Sequence, residues 1–372
     1  LLSPRTEITA LSSCYHGGPN YTEFERLGIR PEDVLDFSSN SNPYPFKLEF
    51  ALDDVVIDHY PDSDSTQVRR IIAAQNDLVT DNVIVGSGSM EIIRLITQAY
   101  FNAGDKVLIL KPTFGEYEQG CRIAGAEVIE LWAEENDDFR FDTNRCVNAI
   151  SSIRPKAVFI CNPNNPTGQY LSRTEIQTII TAAGDGLVVL DEAYIAFTDD
   201  AWKSVDLISK GNLIIVRSMT KDFALAGLRL GYGLAHPNII ENLCKVKPPW
   251  NVNAVAQRAG VQALNDGAYL KRSDRLIRQN REYLVAEFSS MGFKINSTRT
   301  NFFLMKVGRA KEFRAALMKQ GIIARDCTSF GLPEYVRIAP RTLPECKRLV
   351  TAVKATGWSF SIAQNRCLAK ES

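Results

Sequence analysis

From Val83 onward the chain alternates short apolar runs with amphipathic stretches. Val83-Ile84-Val85 predicts a strand, Gly86-Ser87-Gly88-Ser89 breaks it, and Ile92, Ile93, Ile96, Ala99 and Tyr100 then recur with helical period. Further apolar strands are predicted over Lys106 to Leu110, Ala157 to Ile160, Leu187 to Leu190 and Leu213 to Val216. Strands alternating with helices from about residue 83 to 235 are the signature of a mainly parallel sheet covered by helices. Beyond Pro248-Pro249 a single long helical region is predicted through about residue 289, bridging to a last part of different rhythm. There, Phe302 to Val307, Ile322 to Ala324 and Tyr335 to Ala339 read as strands, with a helix over Lys311 to Lys319 and a closing helix, which makes a small α+β unit.

Upstream, His16-Gly17-Gly18, Phe37 to Pro45 and His59-Tyr60-Pro61 read as loops, the last leading into a helical pattern through Val68, Ile71 and Ile72. The tail from Trp358 to Ser372 is poorly patterned, and mobility is expected there.

Composition narrows the function classes. Basic and acidic residues number 43 each, so no global field draws nucleic acid or an anionic membrane, and any anion site must be local. The eight cysteines include no Cys-x-x-Cys pair, which argues against zinc ribbons and disulfide scaffolds, and no metal is expected. No apolar run spans a bilayer and the first residues lack the pattern of a signal peptide, so a cytoplasmic enzyme is expected.

The chemistry centres on Ser218-Met219-Thr220-Lys221, with Arg229 eight residues beyond the lysine. A lone lysine after an apolar strand reads as a solvated strand-end cation. Here two hydroxyls and a guanidinium accompany it, the donors a bound phosphate monoester needs. A partly desolvated amine beside a phosphate pocket suits a phosphorylated aldehyde held as a Schiff base, and pyridoxal 5′-phosphate meets that description. Other segments carry two readings each. The Gly86 to Ser89 turn is a phosphate-binding helix start or a plain connection. Phe114 covers a planar ring or fills core. Asp191, ending an apolar strand before Glu192-Ala193-Tyr194, faces a ligand crevice or caps a helix. His16 is a ligand or a turn residue. Two Asn-Pro steps in Asn162-Pro163-Asn164-Asn165-Pro166-Thr167-Gly168 predict a rigid loop.

Glycine turn, aromatic, Asn-Pro loop, Asp-x-x-Tyr, Ser-x-x-Lys and arginine occur in the order found in fold-type I pyridoxal-phosphate enzymes, the class I/II aminotransferase superfamily, which this chain resembles over about residues 37 to 350. The resemblance implies a seven-stranded, mainly parallel sheet in a large domain plus a small α+β domain, with an N-terminal arm over 1–45, the large domain over 46–250, and the bridging helix and small domain over 251–372. It implies that Lys221 binds pyridoxal 5′-phosphate covalently and Asp191 bonds the pyridine nitrogen. Asn165 and Tyr194 would bond the phenolic oxygen and Phe114 would stack on the ring. Ser89, Met90, Ser218, Thr220 and Arg229 would hold the phosphate, the first two through backbone amides.

His16-Gly17-Gly18, Asp36 to Pro43, Arg325 to Phe330 and Tyr335 to Thr342 also look like segments of the threonine-phosphate decarboxylases of cobalamin biosynthesis. By that likeness the chain decarboxylates an O-phospho amino acid, L-threonine O-3-phosphate or its serine analogue, which His16, Asn40, Tyr60, Arg325 and Arg337 bind, and the enzyme is a homodimer with Tyr60 reaching into the neighbouring site. Histidinol-phosphate aminotransferases share the cofactor set and the arginine pair and are the alternative. A pyridoxal-binding regulator would need an attached DNA-binding domain, for which the chain offers neither room nor a basic stretch.

Overall fold

The computed structural model describes residues 2–358; the tail from residue 359 on, including Cys367, lies outside them. Strand β1 (Leu35–Asp36) is followed by seven strands that form one sheet: β2 (Val83–Gly86), β3 (Lys106–Lys111), β4 (Glu127–Trp132), β5 (Ala157–Cys161), β6 (Leu187–Asp191), β7 (Leu213–Ser218) and β8 (Gly231–Ala235). Their order is β2-β8-β7-β6-β5-β3-β4. Every pair is parallel except those made by β8, which runs antiparallel to β2 and β7. This is the fold-type I architecture that the motif order implied.

The apolar runs are continuous because both faces of the sheet are covered. Leu108, Leu110, Val158, Ile160, Val188 and Leu190 enter one core, and their neighbours Val107, Ile109, Ala157, Phe159, Leu187 and Val189 enter the other. Burying each such side chain contributes about 1.5–3 kcal/mol relative to exposure. Strands β4 and β8 carry no such run. Glu127-Val-Ile-Glu-Leu-Trp132 is a half-exposed edge, and β8 opens on Gly231-Tyr232-Gly233, so neither announces itself by hydropathy.

The region beyond Pro249 is two helices, Ala254–Asn265 and Gly267–Ser290, and not one. Asp266 interrupts them and caps the second, its carboxylate accepting from the Tyr269 amide at 3.0 Å.

Five more strands complete the small unit: β9 (Lys294–Ile295), β10 (Phe303–Lys306), β11 (Ile322–Ile323), β12 (Arg325–Asp326) and β13 (Tyr335–Ile338). Four of them form an antiparallel sheet in the order β12-β13-β10-β9. The single strand expected over Ile322 to Ala324 instead changes partner. β11 pairs in parallel with β1, Leu35 opposite Ile322 and Asp36 opposite Ile323, while β12 pairs with β13. Phe37 follows β1 into the core of this unit, among Leu284, Phe288, Phe303, Phe313 and Leu349.

Two contacts tie the units together. The Asp138 carboxylate accepts from the Ser297 amide at 3.1 Å, the Ser297 hydroxyl at 2.6 Å and Gln169 at 3.1 Å, and also from Asn296. Gly168, at φ +73°, packs so closely on Thr298 that an added Cβ would overlap its side chain.

Candidate active site

Because β5, β6 and β7 run parallel and side by side, their C-terminal ends deliver Cys161, Asp191 and Ser218 to one edge of the sheet. A cavity of about 460 Å³ opens there. Of the residues singled out in the sequence, Lys221, Asp191, Tyr194, Asn165, Phe114, Ser89, His16, Asn40, Arg325 and Arg337 line it.

Asp191 is buried and caps no helix. One carboxylate oxygen accepts from the Tyr117 hydroxyl at 2.6 Å and the other from the Ala193 amide at 2.9 Å. Burial pushes this carboxyl up from 3.8 to about 6, while both hydrogen bonds favour the ionised form. Lys221 keeps some exposure to the cavity but has protein on all other sides. Burial, then the charges of Arg337 and Arg229, bring its amine down from 10.5 to about 8. The lysine segment is held from behind, since the Asn42 amide donates to the Lys221 carbonyl at 2.8 Å and its side chain donates to the Asp222 carbonyl at 2.9 Å.

Ser218 and Thr220 are buried with their hydroxyls 2.7 Å apart. Gly231 sits between Ser218 of β7 and Gly86 of β2, and a Cβ there would stand 2.7 Å from the Gly88 carbonyl carbon. Glycine at 231 therefore lets the Gly88-Ser89 turn lie against the hydroxyl pair. Arg229 completes this corner: a Cβ at Gly88 would be 2.8 Å from its guanidinium. No side chain caps the helix Ser89–Tyr100 that starts here. Met90 turns its side chain to the core, which leaves only its backbone for a ligand.

Two buried arginines also line the cavity, and among the described residues neither has an acidic partner. Arg337 donates to Asn165 and, at 2.7 Å, to the Ser38 carbonyl, and its Nε has no partner. Arg325 donates to the Tyr15 carbonyl at 2.7 Å and the Ser329 hydroxyl at 2.8 Å, and its Nη1 has none. Burial, then the neighbouring Arg337, hold Arg325 down at about 10. The buried Asn40 amide nitrogen is also unpartnered. Unsatisfied donors of this kind mark an anion site.

Tyr60 is not part of this cavity. Its ring is 77% exposed and stacks on Trp250 at 4.1 Å. Tyr117, given no role from sequence, is the aromatic three residues after Phe114, and their rings meet edge to face at 5.6 Å. The Phe-x-x-Tyr spacing at a helix start was the available signal. Glu116 also escaped notice, and nothing local marks it out.

The donor set fits pyridoxal 5′-phosphate: a buried carboxylate, a flat aromatic and an amine of lowered basicity share one cavity, and the hydroxyl pair and Arg229 lie against the turn that brings Ser89 to it. The model for "Aminotransferase class I and II" matches residues 32–353. A histidinol-phosphate aminotransferase of Moorella thermoacetica is 32% identical over 362 residues, covering 94% of this chain and 92% of that protein. Among solved structures, the histidinol-phosphate aminotransferase from Clostridium acetobutylicum is similar with a TM-score of 0.79 at 28% identity, over 89% of this chain and 100% of that one. The L-threonine-O-3-phosphate decarboxylase from Porphyromonas gingivalis is similar with a TM-score of 0.71 at 28% identity, over 80% of this chain and 90% of that one. The chain belongs to the class I and II aminotransferase family, and its cofactor is pyridoxal 5′-phosphate.

Proposed function

We propose that this chain is an aminotransferase that moves the amino group of a phosphorylated amine of the histidinol-phosphate type to a 2-oxo acid. The observation that carries this reading is the convergence of Arg325 and Arg337, both buried with unpartnered N–H groups, on the cavity that holds Lys221. A phosphate dianion on one substrate and a carboxylate on the other supply the anions these donors lack. The names of the relatives at 31–35% identity support the same substrate class.

When bound, the cofactor supplies an electron sink for the bonds at the substrate's Cα. Lys221 would anchor it and afterwards take the proton from Cα, a task suited to an amine brought down to about 8. Asp191 would keep the pyridine nitrogen protonated, Asn165 and Tyr194 would bond the phenolic oxygen, and Phe114 would cover the ring. Ser218, Thr220, Arg229 and the backbone of Ser89 and Met90 would hold the phosphate. Arg325, Arg337, Asn40 and His16 orient the substrate.

A second reading, decarboxylation of an O-phospho amino acid, is favoured by His16, which fills one wall of the cavity, and by the similarity to the Porphyromonas gingivalis decarboxylase. Lys221 would then return a proton to Cα after carbon dioxide leaves. Product mass spectrometry separates the two. Glutamate formed from histidinol phosphate and 2-oxoglutarate supports the aminotransferase; carbon dioxide lost from O-phospho-L-threonine without a 2-oxo acid overturns it in favour of the lyase.

A homodimer belongs to this proposal. Leu52, Val56, Ile57, Tyr60 and Trp250 are exposed apolar side chains of one chain, and a second copy would cover them and receive Tyr60 near its cavity. Sedimentation at a single monomer mass would overturn this part.

A further inference from the structure

Glu116 follows Phe114 by two residues and sits behind the cavity wall, its side chain 10% exposed. Each carboxylate oxygen has one cationic or ring partner. Arg94, from the helix Ser89–Tyr100, donates to Oε2 at 2.6 Å, and His16 meets Oε1 through Nε2 at 2.8 Å. An ionised carboxylate only accepts hydrogen bonds, so the contact fixes Nε2 as a nitrogen that carries hydrogen. Nδ1 is left as the remaining polar atom of the ring. The His16 side chain is 50% exposed and lines the cavity, with its ring 5.8 Å from that of Phe114.

The backbone around His16 is tied from the other side. The Tyr15 carbonyl accepts from Arg325 at 2.7 Å, the Gly18 amide donates to the Ser38 hydroxyl at 2.9 Å, and a Cβ at Gly17 would be 2.9 Å from the Ser38 carbonyl oxygen. The segment Cys14 to Gly18 has no regular secondary structure, so these ties set its course. Glu116 joins it to the helix behind the ring-covering Phe114, beside a packing contact in which a Cβ at Gly115 would be 3.5 Å from the Cys14 sulfur. The same segment thus contacts Arg325, whose unpartnered Nη1 marks the anion site.

We propose that Glu116 is a positioning residue that, through His16, holds the Cys14–Gly18 wall in place for the phosphate group of the substrate. Buttressed by Arg94, it acts on the substrate at one remove. The inference rests on the reading above that the substrate carries a phosphate.

The test is amide hydrogen exchange of the cofactor-loaded enzyme across residues 12–18, with and without inorganic phosphate, for wild type, Glu116→Ala and His16→Ala. Expected is exchange about tenfold faster in both variants than in wild type, with phosphate protecting the segment in wild type only. The Michaelis constant for the phosphorylated substrate should rise about tenfold in each variant, and in Glu116→Ala kcat should change less than twofold. The double variant should be no worse than His16→Ala. Should Glu116→Ala not fold, Glu116→Gln, which keeps the volume but cannot accept from both partners, takes its place. Phosphate protection equal in wild type and variants, or additive losses in the double variant, would overturn the role of Glu116 alone. No protection in wild type would overturn the phosphate reading and the inference with it.

Discussion

The Tyr117 hydroxyl donates to the Asp191 carboxylate across 2.6 Å, with Tyr117 fully buried and stacked on Phe159 at 5.2 Å. The pair orients the carboxylate from beneath, so its other oxygen's partner is only a backbone amide. Tyr117→Phe keeps the ring packing and removes one donor, which costs about 1–2 kcal/mol at a buried acceptor. Because the bond exists without cofactor, the apoenzyme should lose stability by about that amount, and since the bond strengthens when the carboxylate is held ionised, cofactor affinity should fall as well, by about tenfold. Fluorescence titration of apoenzyme with pyridoxal 5′-phosphate measures this, and unchanged affinity would remove Tyr117 from the site.

Asp191 carries its function at the expense of stability. Its carboxyl binds a proton more tightly in the folded apoenzyme, at about 6, than in the unfolded chain, at 3.8. Folded protein therefore holds more protons between those values, and stability falls as pH rises through that window. Asp191→Asn removes the penalty, on the order of 2–3 kcal/mol at pH 7. The variant apoenzyme should melt higher than wild type at pH 7.5, by less at pH 5, and bind the cofactor poorly. A variant less stable at both pH values would count against a buried, unneutralised carboxylate.

Lys221 should become nucleophilic near pH 8. The rate at which apoenzyme takes up the cofactor covalently is expected to rise with pH and level off above about 8, because only the unprotonated amine attacks. Arg337→Met removes the guanidinium that acts more strongly on the amine than Arg229 does, so the midpoint should move to higher pH. Absorbance stopped-flow follows it, and a midpoint left in place would show that burial alone sets this amine.

Gly168 combines a positive φ with close contact to Thr298. Alanine there strains the backbone and pushes the loop that carries Asn165 off the small unit. Gly168→Ala is expected to destabilise by about 2–4 kcal/mol and to reduce turnover more than Tyr117→Phe does. Denaturant unfolding of the holoenzyme checks the first part, and a loss under 0.5 kcal/mol would contradict the packing.

What the chain revealed before folding was whatever depends on close neighbours in sequence. Ser218, Thr220, Lys221 and Arg229 belong to one strand, its following turn and the next connection, so their spacing suffices. Asp191 was ambiguous because a strand-end carboxylate and a helix cap look alike until the partner, Tyr117, is seen 74 positions away. The edge strand Glu127–Trp132 shows only weak alternation because one side faces water. The break at Asp266 lay inside a helical pattern that runs across it. Glu116 was illegible because its meaning depends on His16, which only the folded N-terminal segment brings to it.

The pairing of Leu35–Asp36 with Ile322–Ile323 joins segments 287 residues apart in the chain. On a ribosome the first of these strands emerges long before its partner, whereas the parallel strands β3 to β7, from Lys106 to Ser218, find all their mutual partners as they appear, and β8 then joins β2 to them. The opening strand, and with it the Arg325 tie to the wall around His16, must wait until residues 322–325 have been made. Lys221 and its sheet can thus be assembled while the substrate side of the cavity is still open, so a newly made chain has a cofactor seat before it has a place for anything to react.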